Sequence, residues 1–292
     1  MVSVKRAALA GQWYPGDRQS LEREVREYIN QAETPPTEGS VVAVMSPHAG
    51  YAYSGPVAGF SFRALQGQEI DVVVVIAVCH SGAARASVLD VDVYENPLGR
   101  VEIDRDIVAG LLRRVPSLSY VEAAHRGSFG RPENSAELQI PFIQLALPGT
   151  RLVEILIGGQ DRHLCEEVGD GLVSVLREYP DKRAAFVASS DMTHYPPYED
   201  ATRIDRAALE ALASLDEDHI RQRLRELESE PVRDLHCVLC GAGAVLVTLR
   251  AAKGLGADRA EILHYRNSGD APFGSREGVV GYGSFALYRS AS

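Results

Sequence analysis

Four short, predominantly apolar runs punctuate the chain: VVAVM (41–45), VVVVIAV (72–78), RLVEILIG (151–158) and AAFVAS (184–189). None of them alternates strictly between apolar and polar positions. Short β-rich runs of this kind are the pattern of strands covered on both faces, as in a parallel or mixed sheet. Helical spacing appears between them. In DRQSLEREVREYINQA (17–32), Leu21, Val25, Tyr28, Ile29 and Ala32 share one face, and Asp17 stands where an N-cap belongs. Further helix-like segments are predicted at 56–66, 104–114, 134–147, 164–178, 203–214, 217–228 and 241–253. VLDVDVY (88–94) alternates and predicts an antiparallel strand, and the glycine-interrupted VVGYGSFALY (279–288) predicts another.

Strands alternating with helices predict an α/β layered fold, with a central mostly parallel or mixed β-sheet flanked by helices. No stretch beyond the break ETPPTEGS (33–40) is long or polar enough to separate domains, and no repeat is visible, so residues 1–292 read as a single domain.

Polar residues of unusual type gather where the core runs end. His48 follows the first run, His80 the second, GGQ the third and SSDMTH (189–194) the fourth. Open α/β sheets bind their ligands beyond the carboxyl ends of the strands, so several strands deliver these residues to one rim.

Composition narrows the partners. A formal net charge of −10 and a pI near 5.3 argue against nucleic acid or an anionic membrane surface, both of which reward basic patches. No apolar run approaches the roughly 18 residues of a membrane span. The start MVSVKRAALAGQWYPGD lacks a signal-peptide pattern, which makes a cytoplasmic location the expectation. Four cysteines (Cys79, Cys165, Cys237 and Cys240) are too sparse for a disulfide framework and read as reduced thiols.

His48 and His80, at equivalent exits from core strands, offer the imidazole pair that mid-row metals favour. The plainer reading makes each a hydrogen-bonded loop residue. Cys240, in HCVLCGAGAVLVTLRAAKG, falls at the start of a predicted helix, where the macrodipole favours a thiolate fit for metal or nucleophilic chemistry. Alternatively it is a small residue that lets the helix start pack closely, beside Gly241 and Gly243. CVLC alone does not make a zinc ribbon, which needs a second such pair. Asp191 and His194, three apart, suit acid/base work or the orientation of a ligand, or else simple capping. Glu133 and Glu137 lie at i, i+4, and Asn134 with Glu137 resembles a capping box, with Pro141 interrupting the helix that follows. His125, His163, His219, His236 and His264 show no partner pattern, and neither a G-x-S-x-G elbow nor a phosphate-binding glycine loop is present.

Taken together, AGQWYPGD (10–17), SPHAGYAYSG (46–55), the histidine closing the second run, ENSAELQIPF (133–142), SSDMTHY (189–195), LCG (239–241), HYRNSGD (264–270) and VVGYGS (279–284) resemble the Memo-like family, known in prokaryotes as AmmeMemoRadiSam system protein B. That family is similar in fold to the class III extradiol ring-cleaving dioxygenases, which hold one non-haem iron at the rim of the sheet. The resemblance implies one mononuclear metal ion bound by His48, His80 and Cys240, with iron(II) favoured and copper or zinc as alternatives. Asp191 and His194 would line the pocket as catalytic groups, with Tyr53 and Glu137 as neighbours on its wall. Cys240 would replace the carboxylate of the extradiol site, and that softer donor turns the chemistry away from ring cleavage. AVCHS (77–81) departs from the family's usual second-strand ending, and Cys79 is expected to point away from His80. The implied activity is a metal-dependent redox reaction on a small molecule. The alternative is a non-catalytic binding module in a pathway with a radical-SAM protein.

Overall fold

The computed structural model describes residues 2–34, 39–128 and 130–290, so positions 35–38 of the break expected at 33–40 lie outside the described residues. The chain runs through β1 (Val4–Arg6), α1 (Arg18–Gln31), β2 (Ser40–Ser46), α2 (Tyr51–Leu65), β3 (Val72–Val78), β4 (Ala86–Val88), β5 (Val93–Asn96) and β6 (Gly99–Glu102). There follow α3 (Arg105–Arg114), α4 (Glu122–Arg126), a 3₁₀ turn at Glu137–Gln139, α5 (Ile140–Ala146), β7 (Arg151–Ile157), α6 (Arg162–Leu176) and β8 (Ala184–Ser189). Then come α7 (Tyr198–Ala213), α8 (Glu217–Glu228), α9 (Ala242–Gly254), β9 (Arg259–Asn267) and β10 (Gly281–Arg289).

Seven strands form one mixed sheet in the order β4-β7-β3-β8-β2-β10-β9. β7, β3, β8 and β2 are parallel neighbours; β4 pairs antiparallel with β7 at one side, and at the other β10 pairs antiparallel with both β2 and the edge strand β9. These four parallel strands are the four apolar runs. Val72 to Ala77 are all fully buried, so both faces of β3 are covered, which is why the run does not alternate. α2 packs on β2 and β10, backed by α1 and α5. α9 packs across the central strands with α6 behind it, and α7 lies against β9 and β10.

Local chemistry explains the helix ends. Asp17 caps α1 by accepting the Ser20 N–H at 2.9 Å. α2 begins five residues earlier than its pattern implies, carrying Pro56 inside it. Gly55, inside α2, makes room for a neighbouring helix. A Cβ there would stand 2.4 Å from the Tyr28 ring of α1. Pro141 sits in the first turn of α5, where a missing N–H costs nothing, and it separates the 3₁₀ turn from the α-helix.

Two further expectations are corrected. The single strand expected at 88–94 is two: β4, paired to β7, and β5, which pairs with β6 and β1 in a separate three-stranded sheet. The capping box of Asn134 and Glu137 does not form, since both side chains reach to other parts of the chain. β9 was not foreseen, because it is an edge strand whose residues are mostly only partly buried and carry no apolar run.

Candidate metal centre

His48 follows β2, Asp191 follows β8 and His80 follows β3, and these three strands are adjacent and parallel. The residues therefore meet at one rim because the sheet order puts their strands side by side. Cys240 arrives from the opposite direction, two residues before α9 and against the backbone of Asp191. Gly243 allows that approach, for a Cβ there would meet the Gly159 carbonyl at 2.1 Å. One donor atom from each of His48, His80 and Cys240 lies within 4.8 Å of the others. Sγ of Cys240 is 3.4 Å from Nε2 of His48, and the two imidazole rings stand edge to face with centroids 5.3 Å apart.

Neighbouring residues settle which nitrogen of each ring is bare. Nδ1 of His48 lies 2.9 Å from the Ser189 hydroxyl oxygen. That hydroxyl donates its only hydrogen to the Ser135 carbonyl at 2.5 Å and accepts from Nε2 of Gln139 at 2.9 Å. Ser189 can therefore only accept from His48, so the ring carries its proton on Nδ1 and leaves Nε2 with a free lone pair. Nδ1 of His80 lies 2.8 Å from the Glu133 carboxylate, which also accepts the His80 backbone N–H at 2.9 Å. Here too Nδ1 is the donor, so in the neutral ring, the form a metal binds, Nε2 is bare. A carboxylate behind a histidine is the usual support of a metal-binding imidazole.

Electrostatics follow from burial and these partners. Burial pushes the His48 pKa well below its usual value, and the neighbouring His80 adds to this, so His48 is neutral. For His80 burial acts the same way, but the hydrogen bond and charge of Glu133, with Asp191, outweigh it and raise the pKa. Burial lifts Asp191 to about 6, opposed by His194 and by the His48 N–H that its Oδ1 accepts at 2.7 Å. The Cys240 thiol is pushed well up by burial, then by Asp191 and Cys237. The helix start expected to favour a thiolate is thus overruled by desolvation in the protein alone. A cation between the three donors would reverse the balance.

A cleft of about 950 Å³ opens above the histidines. Asp191 and His194 are among the residues that line it. His194 donates Nδ1–H to the Met192 carbonyl at 2.9 Å, which leaves its Nε2 free. Tyr195 at the lip has φ of 73°, a left-handed conformation that a tyrosine rarely adopts. Tyr53 and Glu137 do not line the cleft. Tyr53 projects from α2, 39% exposed, with its ring edge-on to Phe273. Glu137 is buried one layer behind, where it accepts from the Ala8 and Leu9 N–H groups and from the hydroxyls of Tyr14 and Tyr94. It therefore anchors the N-terminal loop that carries Leu9, Gln12 and Trp13 into the cleft wall.

The supporting residues Glu133, Ser189 and Gln139 escaped the sequence reading. Glu133 was visible only as half of an i, i+4 pair, and a buried serine behind a histidine leaves no pattern. Cys79 is buried and stands 3.3 Å from the Ser81 hydroxyl, outside the three-donor cluster. His125 does have partners: it lies buried between Glu154 and Ser87, at 2.7 and 2.9 Å.

Comparison with known proteins agrees with this architecture. An uncharacterized protein of Escherichia coli K12 of known crystal structure superposes with a TM-score of 0.54 at 15% identity, covering 85% of this chain and all of that one. This likeness concerns the fold. No helix among the described residues is long and apolar enough to cross a membrane. A MEMO1 family protein of Methanosarcina barkeri is 34% identical over 97% of this chain and 100% of its own length. One from Methanothermobacter thermautotrophicus is 33% identical over 96% of this chain and 98% of its own. The family described as Memo-like protein matches residues 5–286, and the chain belongs to it.

Proposed function

We propose that this chain is a metal-dependent redox protein in which His48, His80 and Cys240 hold one mononuclear ion and the cleft presents a small molecule to it. The observation that carries this reading is the set of three convergent donors, with both Nδ1 protons already committed elsewhere and both Nε2 lone pairs bare. Two imidazoles and a thiolate suit iron(II), copper and zinc. The sulfur moves the preference toward copper and zinc relative to a two-histidine, one-carboxylate set, while the likeness to extradiol enzymes favours iron(II). A redox-active ion there would supply electron transfer to or from the bound molecule.

The chain's own residues do the rest. Glu133 and Ser189 hold the imidazoles in register. Asp191 ties the His48 loop to Cys240, accepting the His48 N–H on its carboxylate and donating its own N–H to the Cys240 sulfur. His194, with Nε2 free at the cleft, can take or return a proton. The test is metal analysis of protein purified without chelators, alongside His48→Ala and Cys240→Ala. About one ion per chain in the wild type, lost in both variants while circular dichroism is unchanged, is the expected result. No stoichiometric metal, or undiminished binding in both variants, would overturn it.

A further inference from the structure

Two features of the cleft are left unexplained by the metal centre. The first is Arg131. Among the described residues it is the one lysine or arginine lining the cleft, and its guanidinium has no ion pair. The two acids of the cleft are already engaged, Glu133 with His80 and Asp191 with the His48 N–H. Arg131 is held in place by reciprocal backbone hydrogen bonds with Ser128 at 3.0 and 2.9 Å.

The second is Tyr282, at the start of β10. Its side chain is 2% exposed and lines the cleft, yet its hydroxyl makes no hydrogen bond among the described residues. Three other buried tyrosines behave differently. Tyr14 and Tyr94 donate to Glu137, and Tyr51 donates to the Leu138 carbonyl. A buried phenol ordinarily finds a partner, and the cleft is where this one can find it.

We infer that the cleft selects a small molecule bearing a carboxylate, with Arg131 as its charge partner and the Tyr282 hydroxyl as a second donor deeper in. The inference rests on the reading of this cleft as the ligand-binding face of the metal centre. A single guanidinium matches a carboxylate in charge and in its two-pronged geometry. Phosphate sites instead gather several backbone N–H groups at a helix N-terminus or nest, and here the Tyr51 N–H that opens α2 is already given to the Trp13 carbonyl.

Trp13 is the only tryptophan of the chain and lines the cleft, so its emission reports occupancy. The full chain, as purified and after metal removal with phenanthroline, is titrated with small aliphatic carboxylates, each beside its primary amide, and with inorganic phosphate. At least one acid is expected to bind about tenfold or more tightly than its amide. Arg131→Met should lower that affinity by roughly 10- to 100-fold and leave amide binding alone, and Tyr282→Phe should lower it by roughly 3- to 10-fold. Metal content should be unchanged in both. Equal binding of acid and amide, full acid affinity in Arg131→Met, tighter binding of phosphate than of every acid, or no response of Trp13 to any acid would each overturn the inference. A chain that holds no metal but still prefers the acid through Arg131 would remove the proposed redox function and leave this inference standing.

Discussion

The hydroxyl of Ser189 stands 2.9 Å from Nδ1 of His48 and, having given its hydrogen to the Ser135 carbonyl, leaves that nitrogen no role but donor. A buried serine at the end of one strand thereby fixes the protonation pattern of a histidine beyond the end of the next. The lone pair of His48 Nε2 faces Cys240 as a result.

Ser189→Ala removes that acceptor and also strands Nδ1–H of His48 and the Ser135 carbonyl in a dry interior. The expected cost is about 1–3 kcal/mol of stability, read by urea denaturation. Metal affinity should fall about tenfold in competition with a chromogenic chelator, as for other residues that orient a ligand from behind.

Glu133→Gln keeps the shape but removes the charge behind His80. The amide cannot accept from His80 N–H, His80 Nδ1–H and the Ser135 N–H together without turning its own NH₂ toward one of them. Metal affinity is expected to drop about 10- to 100-fold with the secondary structure intact. Unchanged affinity would mean that His80 is held in place by something other than this carboxylate.

Glu137→Ala separates anchoring from chemistry. It leaves two backbone N–H groups and two tyrosine hydroxyls without their acceptor, for an expected loss of about 3–5 kcal/mol. Trp13 emission should shift to the red as the N-terminal loop loosens, while metal bound per folded chain stays the same. A loss of metal without a change in Trp13 would place Glu137 at the centre itself.

Asp205, alongside Asp191, shapes the pH dependence of stability: burial raises it from 3.8 to about 7 against the hydrogen bonds of Thr193 and Tyr265. Its folded form binds more protons than its unfolded form between those values. This contribution to stability therefore falls as pH rises from about 4 to about 7 and levels above that. Denaturation midpoints for Asp205→Asn should show a flatter slope across this window than the wild type. The same slope in both proteins would assign the effect to another group.

The sheet was legible because four buried parallel strands leave unbroken apolar runs, and the rim because His48, His80 and Asp191 follow those runs at short distances. The smaller sheet was not legible. Val4–Arg6 and Gly99–Glu102 are only three and four residues long and carry charged side chains, so no periodicity develops. Glu137 illustrates a different limit. The family resemblance implied a share in the cleft wall, while its spacing from Asn134 pointed only to a cap. The 3₁₀ turn that it opens carries it one layer deeper, toward a segment more than 120 residues away in the chain. Pairings of this kind depend on tertiary approach and have no local signature.

The most direct test is an anomalous-scattering map from crystals of protein purified without chelators, recorded at the edges of iron, copper and zinc. A three-ligand centre predicts one peak per chain, bonded to Nε2 of His48, Nε2 of His80 and Sγ of Cys240. The absence of any peak between those three atoms, or a peak held by other residues, would contradict it.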